Sequence, residues 1–257
     1  MENQDRPIGV FDSGIGGISV LRELYAIMPE EDYIYFGDSV HAPYGTKTLA
    51  QVRELTVANV KELLRQGAKG IVVACNTATS AAVRILRNMY PELPLVGIEP
   101  ALKPAALQPG HPKVLVMATP MTIREEKFQR LVEQYEFDAD IIGLPCPGLM
   151  EFVEAGNTDG EDLRDFLEDL LAPYLRDIDS IVLGCTHYPF VQRVIQDIAG
   201  ERVRIFDGGA GTAREMRRRL ELAGLRTARA KKGTVLFENS LATEEEIELS
   251  RFLFQKK

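Results

Sequence analysis

Eight short apolar runs, separated by stretches of helical pattern, constrain this chain more than any other feature. They cover residues 8–11, 33–36, 70–74, 95–98, 114–118, 139–144, 180–183 and 203–206. Most are nearly continuous rather than alternating, the pattern of strands buried on both faces of a parallel sheet. Helical stretches lie between them at 17–28, 46–66, 77–89, 122–134, 160–175, 189–198 and 210–222. The clearest is 46–66, where Leu49, Val52, Leu55, Val60, Leu63 and Leu64 follow a 3.6-residue period and Gly67 is placed to end the helix. Alternating strands and helices predict an α/β architecture with right-handed crossovers.

At 257 residues the chain holds one large or two small domains, and a core of that size needs no disulfide or metal staple. The 30 Lys and Arg against 38 Asp and Glu give a net charge of −8, so no basic footprint for nucleic acid is expected. Arg217, Arg218 and Arg219 read as a solvated helix face. No segment approaches the ~18–20 apolar residues of a membrane span, and residues 1–7 lack a secretory pattern. A cytoplasmic protein with neither a membrane nor a nucleic-acid partner is therefore expected. The three cysteines are odd in number and widely spaced, so each is either a small buried residue or a working thiol.

One internal echo bears on function. Gly70-Ile71-Val72-Val73-Ala74-Cys75-Asn76-Thr77 is repeated in character by Ser180-Ile181-Val182-Leu183-Gly184-Cys185-Thr186-His187. Each is an apolar strand, a small residue, a Cys, and polar residues opening a helix. Two related halves are implied, each offering a Cys at the carboxyl end of a strand, where open α/β sheets bind ligands. The dipole of the following helix favours the thiolate there. Cys146, in Leu144-Pro145-Cys146-Pro147-Gly148, lacks this context and reads as structural.

Other candidates fall at the same sheet edge. Asp12 ends the first strand, before Ser13-Gly14-Ile15-Gly16-Gly17, as a helix cap or an acid/base group. This loop is neither a dinucleotide fingerprint, since Ser19 holds the third Gly position, nor a P-loop. Asp38 ends the second strand, and the turn Pro43-Tyr44-Gly45 brings Tyr44 and the Gly45 N–H to the edge as substrate contacts. His187 either plays a structural part or tunes the thiol two residues before it. Glu151 and Glu154 lie on a short helix and read by default as solvated carboxylates. Pro/Gly clusters at 97–100 and 108–112 mark candidate boundaries.

Two thiols from two halves suit proton transfer at one carbon. One thiolate removes a proton from one face, and the other thiol delivers a proton to the opposite face, with no metal or organic cofactor required. That is racemisation or epimerisation. Two other classes stay open. One is a Cys185–His187 nucleophilic enzyme. The other is a non-catalytic binding protein for a small amino acid, or a metal site of Cys75, Cys185 and His187, although short metal-ligand spacing is missing.

Four motifs together resemble the glutamate racemase family: Gly9-Val10-Phe11-Asp12-Ser13-Gly14-Ile15-Gly16-Gly17, Pro43-Tyr44-Gly45, Ala74-Cys75-Asn76-Thr77-Ala78 and Gly184-Cys185-Thr186-His187-Tyr188-Pro189. Their order and spacing match across nearly the whole chain. The resemblance implies two similar α/β domains with mainly parallel sheets and the active site in the cleft between them. It implies a first domain of 1–98 completed by 209–257, and a second of 99–208. It implies cofactor-independent interconversion of L- and D-glutamate, supplying peptidoglycan synthesis, in a homodimer. Cys75 and Cys185 match the family's acid/base thiols, the first taking the α-proton of the D-enantiomer and the second that of the L-enantiomer. Asp12 and His187 match groups assisting them. Asp12, Ser13, Tyr44, Gly45, Asn76, Thr77, Thr186 and His187 match the substrate-binding positions. Asp38 matches a further carboxylate, and Glu154 rather than Glu151 another. Ala118 stands where the family often has Gly, which leaves the contact of Thr119 open, and a racemase of aspartate or another amino acid is the near alternative.

Overall fold

The computed structural model describes residues 3–256. The chain divides into two compact units. One gathers the chain up to Glu99 and from Gly209 onward, and the other runs from Pro100 to Gly208.

The first unit opens with β1 (Ile8–Asp12), α1 (Ile18–Ile27), β2 (Tyr33–Gly37), α2 (Leu49–Arg65), β3 (Gly70–Val73), α3 (Asn76–Met89) and β4 (Leu95–Gly97). The second holds α4 (Leu102–Ala106), β5 (Lys113–Ala118), α5 (Pro120–Arg124), α6 (Glu126–Glu133), β6 (Asp140–Pro145), α7 (Leu149–Glu154), α8 (Glu161–Leu171), β7 (Ser180–Leu183), α9 (Gln192–Ala199) and β8 (Arg204–Asp207). The chain then returns to the first unit with α10 (Gly209–Leu222), β9 (Val235–Asn239) and α11 (Glu244–Gln255).

Every strand pair is parallel. The sheet orders are β4-β3-β1-β2-β9 and β6-β5-β7-β8. Read from the other edge, the second is β8-β7-β5-β6, so the first four strands of each unit are laid down in one topology. β3 and β7, which precede Cys75 and Cys185, are equivalent strands. In each unit the chain moves from the first strand to one side, then crosses to the other side for the third. The crevice at the carboxyl ends of strands one and three is thus the topological switch point, where α/β sheets bind ligands.

Continuous apolar runs became interior strands: all residues of β1, β3 and β7 are buried. Helix α2 begins with a reciprocal capping box between Thr48 and Gln51 and buries Val52, Thr56, Val60 and Leu63 along one stripe. Gly67, at φ +94, follows its end as expected.

The helix expected at 122–134 is two. Glu125 is extended (φ −69, ψ 138), ending α5 and starting α6. Ile123 and Phe128 both pack on the core of the second unit. Five residues apart, they would point about 140° apart on one unbroken helix, so the break lets both face inward. The stretch expected at 189–198 likewise starts as a 3₁₀ turn, Tyr188–Val191, before α9. Strand β9 and helix α11 have no counterpart among the eight apolar runs and seven helical patterns. Among the described residues β9 pairs with β2 alone, at the sheet edge, and it is mostly half-exposed. Among the described residues no helix is long and apolar enough to cross a membrane.

A buried ion pair anchors the opposite end of the first sheet. Glu31 precedes β2 and Lys69 precedes β3, and their side chains meet at 0% and 1% exposure. Glu31 also accepts the Thr227 N–H at 3.0 Å and faces Arg226 Nε at 3.3 Å. The returning C-terminal segment is thereby tied to the amino edge of the sheet.

Candidate active site

In the first unit, β1 and β3 deliver their terminal residues side by side. Asp12 is fully buried, and its Oδ1 accepts the Gly14 N–H at 2.8 Å. This turns the chain sharply into α1. Gly17 is needed there, because a Cβ would fall 2.6 Å from Asp12 Cβ and 3.0 Å from Ala74 Cβ. The turn sets Ser13 Oγ 3.4 Å from Cys75 Sγ. Cys75 is the N-cap of α3, and its sulfur accepts the Ala78 N–H at 3.4 Å. A sulfur in this position takes the place of the usual cap oxygen, where the helix end favours negative charge. Asn76 and Thr77 form the first turn of α3, both buried. Neither Nδ2 nor Oδ1 of Asn76 has a hydrogen-bond partner among the described residues. A buried amide with both ends unpaired costs about 1–3 kcal/mol per group, a cost that a bound polar ligand would remove.

Asp38 continues from β2 and is 2% exposed. Its Oδ2 accepts the Tyr44 hydroxyl at 2.7 Å and Asn59 Nδ2 at 3.1 Å, and its Oδ1 lies 2.8 Å from His41 Nδ1. Burial pushes the carboxyl up, but hydrogen bonds from Tyr44, His41, Asn59 and Ser240 outweigh it and hold Asp38 below the usual carboxylate range. Tyr44 is driven the other way, by burial first, then by Asp38, and further by Cys75 and Asp12. It therefore stays a neutral O–H donor. Gly45 follows in the same 3₁₀ turn, Tyr44–Thr46.

In the second unit the equivalent thiol, Cys185, follows β7 and Gly184. Its sulfur lies 3.6 Å from His187 Nδ1, and His187 Nε2 lies 2.5 Å from Glu154 Oε1. His187 is 1% exposed. Burial opposes its charge, yet the hydrogen bonds to Cys185 and Glu154 raise it well above the usual imidazole value. A protonated His187 donates one N–H to the sulfur and the other to the carboxylate. Thr186 is buried beside it. Glu154, at the end of α7, is the carboxylate that meets His187. Default reading from the sequence left Glu154 solvated; the fold brings it in because α7 packs against the Tyr188–Val191 turn. Thr119 caps α5, accepting the Thr122 N–H at 3.2 Å.

Cys146 behaves differently. Its thiol donates to the Leu144 carbonyl at 3.3 Å, and burial, with a smaller contribution from Cys185, pushes it up to about 12. It stays a neutral thiol. Among the described residues, no group of three or more His, Cys, Asp or Glu side chains is placed to hold a metal ion.

The two units share one plan: a thiol at the end of the third strand, at the switch point, with hydrogen-bonding groups turned onto the sulfur. Comparison with known proteins identifies the family. Residues 8–216 match the family model described as Asp/Glu/Hydantoin racemase. A glutamate racemase of Clostridium perfringens is 52% identical over 99% of this chain and 98% of its own. The crystal structure of Francisella tularensis glutamate racemase in complex with D-glutamate superposes with a TM-score of 0.85 at 27% identity, over 99% of this chain and 95% of that one. That of the Escherichia coli enzyme, in complex with L-glutamate and the activator UDP-MurNAc-Ala, gives 0.81 at 32% identity, over 97% and 94%. The chain belongs to the Asp/Glu/Hydantoin racemase family, among its glutamate racemases.

Proposed function

We propose that this protein interconverts L- and D-glutamate by a two-thiol mechanism, without a cofactor. The observation that supports it most is the pair of equivalent strand ends, β3 and β7, each carrying a buried thiol with its own hydrogen-bonding partners.

The proton balance is simple. With L-glutamate bound, the Cys185 thiolate takes the α-proton and becomes a thiol, leaving a carbanion at Cα. The Cys75 thiol gives its proton to the opposite face and becomes a thiolate, forming D-glutamate. From D-glutamate the roles reverse. The α-proton is weakly acidic, so the developing charge needs preorganised donors. Asn76, Thr77 and Thr186 supply them. Ser13, Tyr44 and the Gly45 N–H complete the substrate contacts in this reading. His187 assists Cys185, and Asp12 assists the Cys75 side. Glu154 keeps His187 charged.

We read the product as D-glutamate for peptidoglycan synthesis, in keeping with the Escherichia coli relative's activator. A homodimer belongs to the same reading. So does a cytoplasmic site, where thiols stay reduced. Circular dichroism with each enantiomer tests the activity: decay of the glutamate signal toward zero supports it, while an inert glutamate and a racemised aspartate would reassign the substrate.

The Cys185–His187–Glu154 geometry also fits a nucleophilic enzyme. That reading leaves Cys75 idle and predicts a covalent adduct. The proposed mechanism predicts that mass spectrometry during turnover finds none.

Glu154→Gln tests the second half-site. His187 is raised in the folded protein, so its pairing stabilises fully below the unfolded value of about 6.5 and fades as pH rises through the folded value. The substitution should lower the His187 titration seen by NMR. Catalysis should fall about 10- to 100-fold, less than the ~10²–10⁴ of a lost acid/base group. Enantiomers are equal in energy, so kcat/KM must fall equally in both directions. An unshifted His187 titration would remove Glu154 from the mechanism.

A further inference from the structure

The second strand's terminal carboxylate is the hub of a network that reaches far beyond the substrate turn. Asp38 is buried, at 2% exposure, and its two oxygens are claimed by side chains from separate parts of the first unit. His41 comes from the same loop, Asn59 from α2, and Ser240 from the residue just past β9. Ser240 makes a second tie, its Oγ accepting the Val40 N–H at 2.9 Å. Its neighbour Asn239 donates Nδ2 to Ser39 Oγ at 2.8 Å. The loop that carries Tyr44 and Gly45 is therefore pinned by a segment some two hundred residues later in the chain. Asn59 Nδ2 also lies 3.3 Å from the Tyr44 hydroxyl itself.

We propose that Asn59 and Ser240, with His41, are positioning residues for substrate binding: they hold Asp38, Asp38 holds the Tyr44 hydroxyl, and the Tyr44–Gly45 turn is thereby fixed where the substrate meets it. This rests on the racemase reading. None of the three touches the reacting carbon in this account. They act by removing alternative positions of the turn before the substrate arrives, so their effect falls on binding rather than on proton transfer. The returning C-terminal chain is in this way part of the binding apparatus, not only a cover for the sheet edge.

The experiment uses the full chain with both glutamate enantiomers and compares Ser240→Ala, Ser240→Thr, Asn59→Ala and Tyr44→Phe, alone and combined. Ser240→Ala and Asn59→Ala come from different segments, so either suffices if the other fails to fold. Each should raise KM about three- to tenfold for both enantiomers, the scale of one lost hydrogen bond, with kcat within about twofold. Ser240→Thr, which keeps the hydroxyl, should restore KM. On the Tyr44→Phe background Asn59→Ala should add little, because the bond it acts through is gone, and Ser240→Ala should keep only the part carried by its Val40 tie. An unchanged KM, a fall in kcat alone, or full additivity with Tyr44→Phe overturns the proposal. A wild-type protein inert toward glutamate is a different result: it removes the racemase reading, and this proposal with it.

Discussion

Replacing Cys75 or Cys185 by Ala should abolish racemisation of glutamate in both directions, by about 10²–10⁴-fold or more. Either thiol is needed in either direction, one as base and the other as acid, so neither variant should retain a favoured enantiomer. What remains should differ between them. With Cys75 gone, Cys185 can still take the α-proton of L-glutamate and return one from solvent to the same face. With Cys185 gone, Cys75 can do the same to D-glutamate. Residual α-proton exchange should therefore be confined to L-glutamate in Cys75→Ala and to D-glutamate in Cys185→Ala. NMR in D₂O reads this directly. Exchange of the other enantiomer would reverse the assignment, and retained racemisation in both variants would remove the thiols from the mechanism. Cys146→Ala should leave turnover intact, because that thiol is a buried neutral donor to the Leu144 carbonyl.

The second large effect concerns stability. Glu31→Ala should destabilise the first unit by about 3–5 kcal/mol, the usual cost of stranding one partner of a buried pair. Lys69 would be left at 1% side-chain exposure without its carboxylate partner, and the Thr227 N–H would lose its acceptor. For a protein of this size that corresponds to a melting point lower by roughly 6–20 °C. Replacing both partners by apolar residues, as in Glu31→Leu with Lys69→Met, should recover the part of the loss that comes from the stranded Lys69, while the Thr227 N–H stays without its acceptor. The pair lies at the amino edge of the sheet, away from Asp12 and Cys75 at the carboxyl edge, so KM at low temperature should be unchanged. Thermal denaturation of the two variants checks this; a shift below about 2 °C for Glu31→Ala would show the pair to be dispensable.

Legibility from sequence followed burial. Strands such as β1, β3 and β7 are enclosed on both faces, so their runs are continuous and readable. Strand β9 sits on an edge and ends in Glu238 and Asn239, which broke the apolar signal. Helix α11 opens with Glu244, Glu245 and Glu246, and its fully buried residues are Ser250 and Leu253, too few for a visible stripe. The break at Glu125 was hidden because a run of charges supports helix on either side of it. The thiols were readable because strand-Cys-polar-helix recurs locally. Partners from distant segments were not readable from local pattern: Glu154 reaches His187 across thirty-three positions, and Ser240 reaches the Tyr44 loop across two hundred. Such pairings depend on how the chain returns, which no local pattern records.

The central claim is that two different groups handle the proton on the two faces of Cα. The direct measurement is the isotopic content of both enantiomers during the first few per cent of turnover of L-glutamate in D₂O. The account predicts that the new D-glutamate carries deuterium at Cα, delivered by Cys75, while the remaining L-glutamate keeps its protium. Protium carried into the D-glutamate would mean that one group serves both faces, and would contradict the two-thiol mechanism.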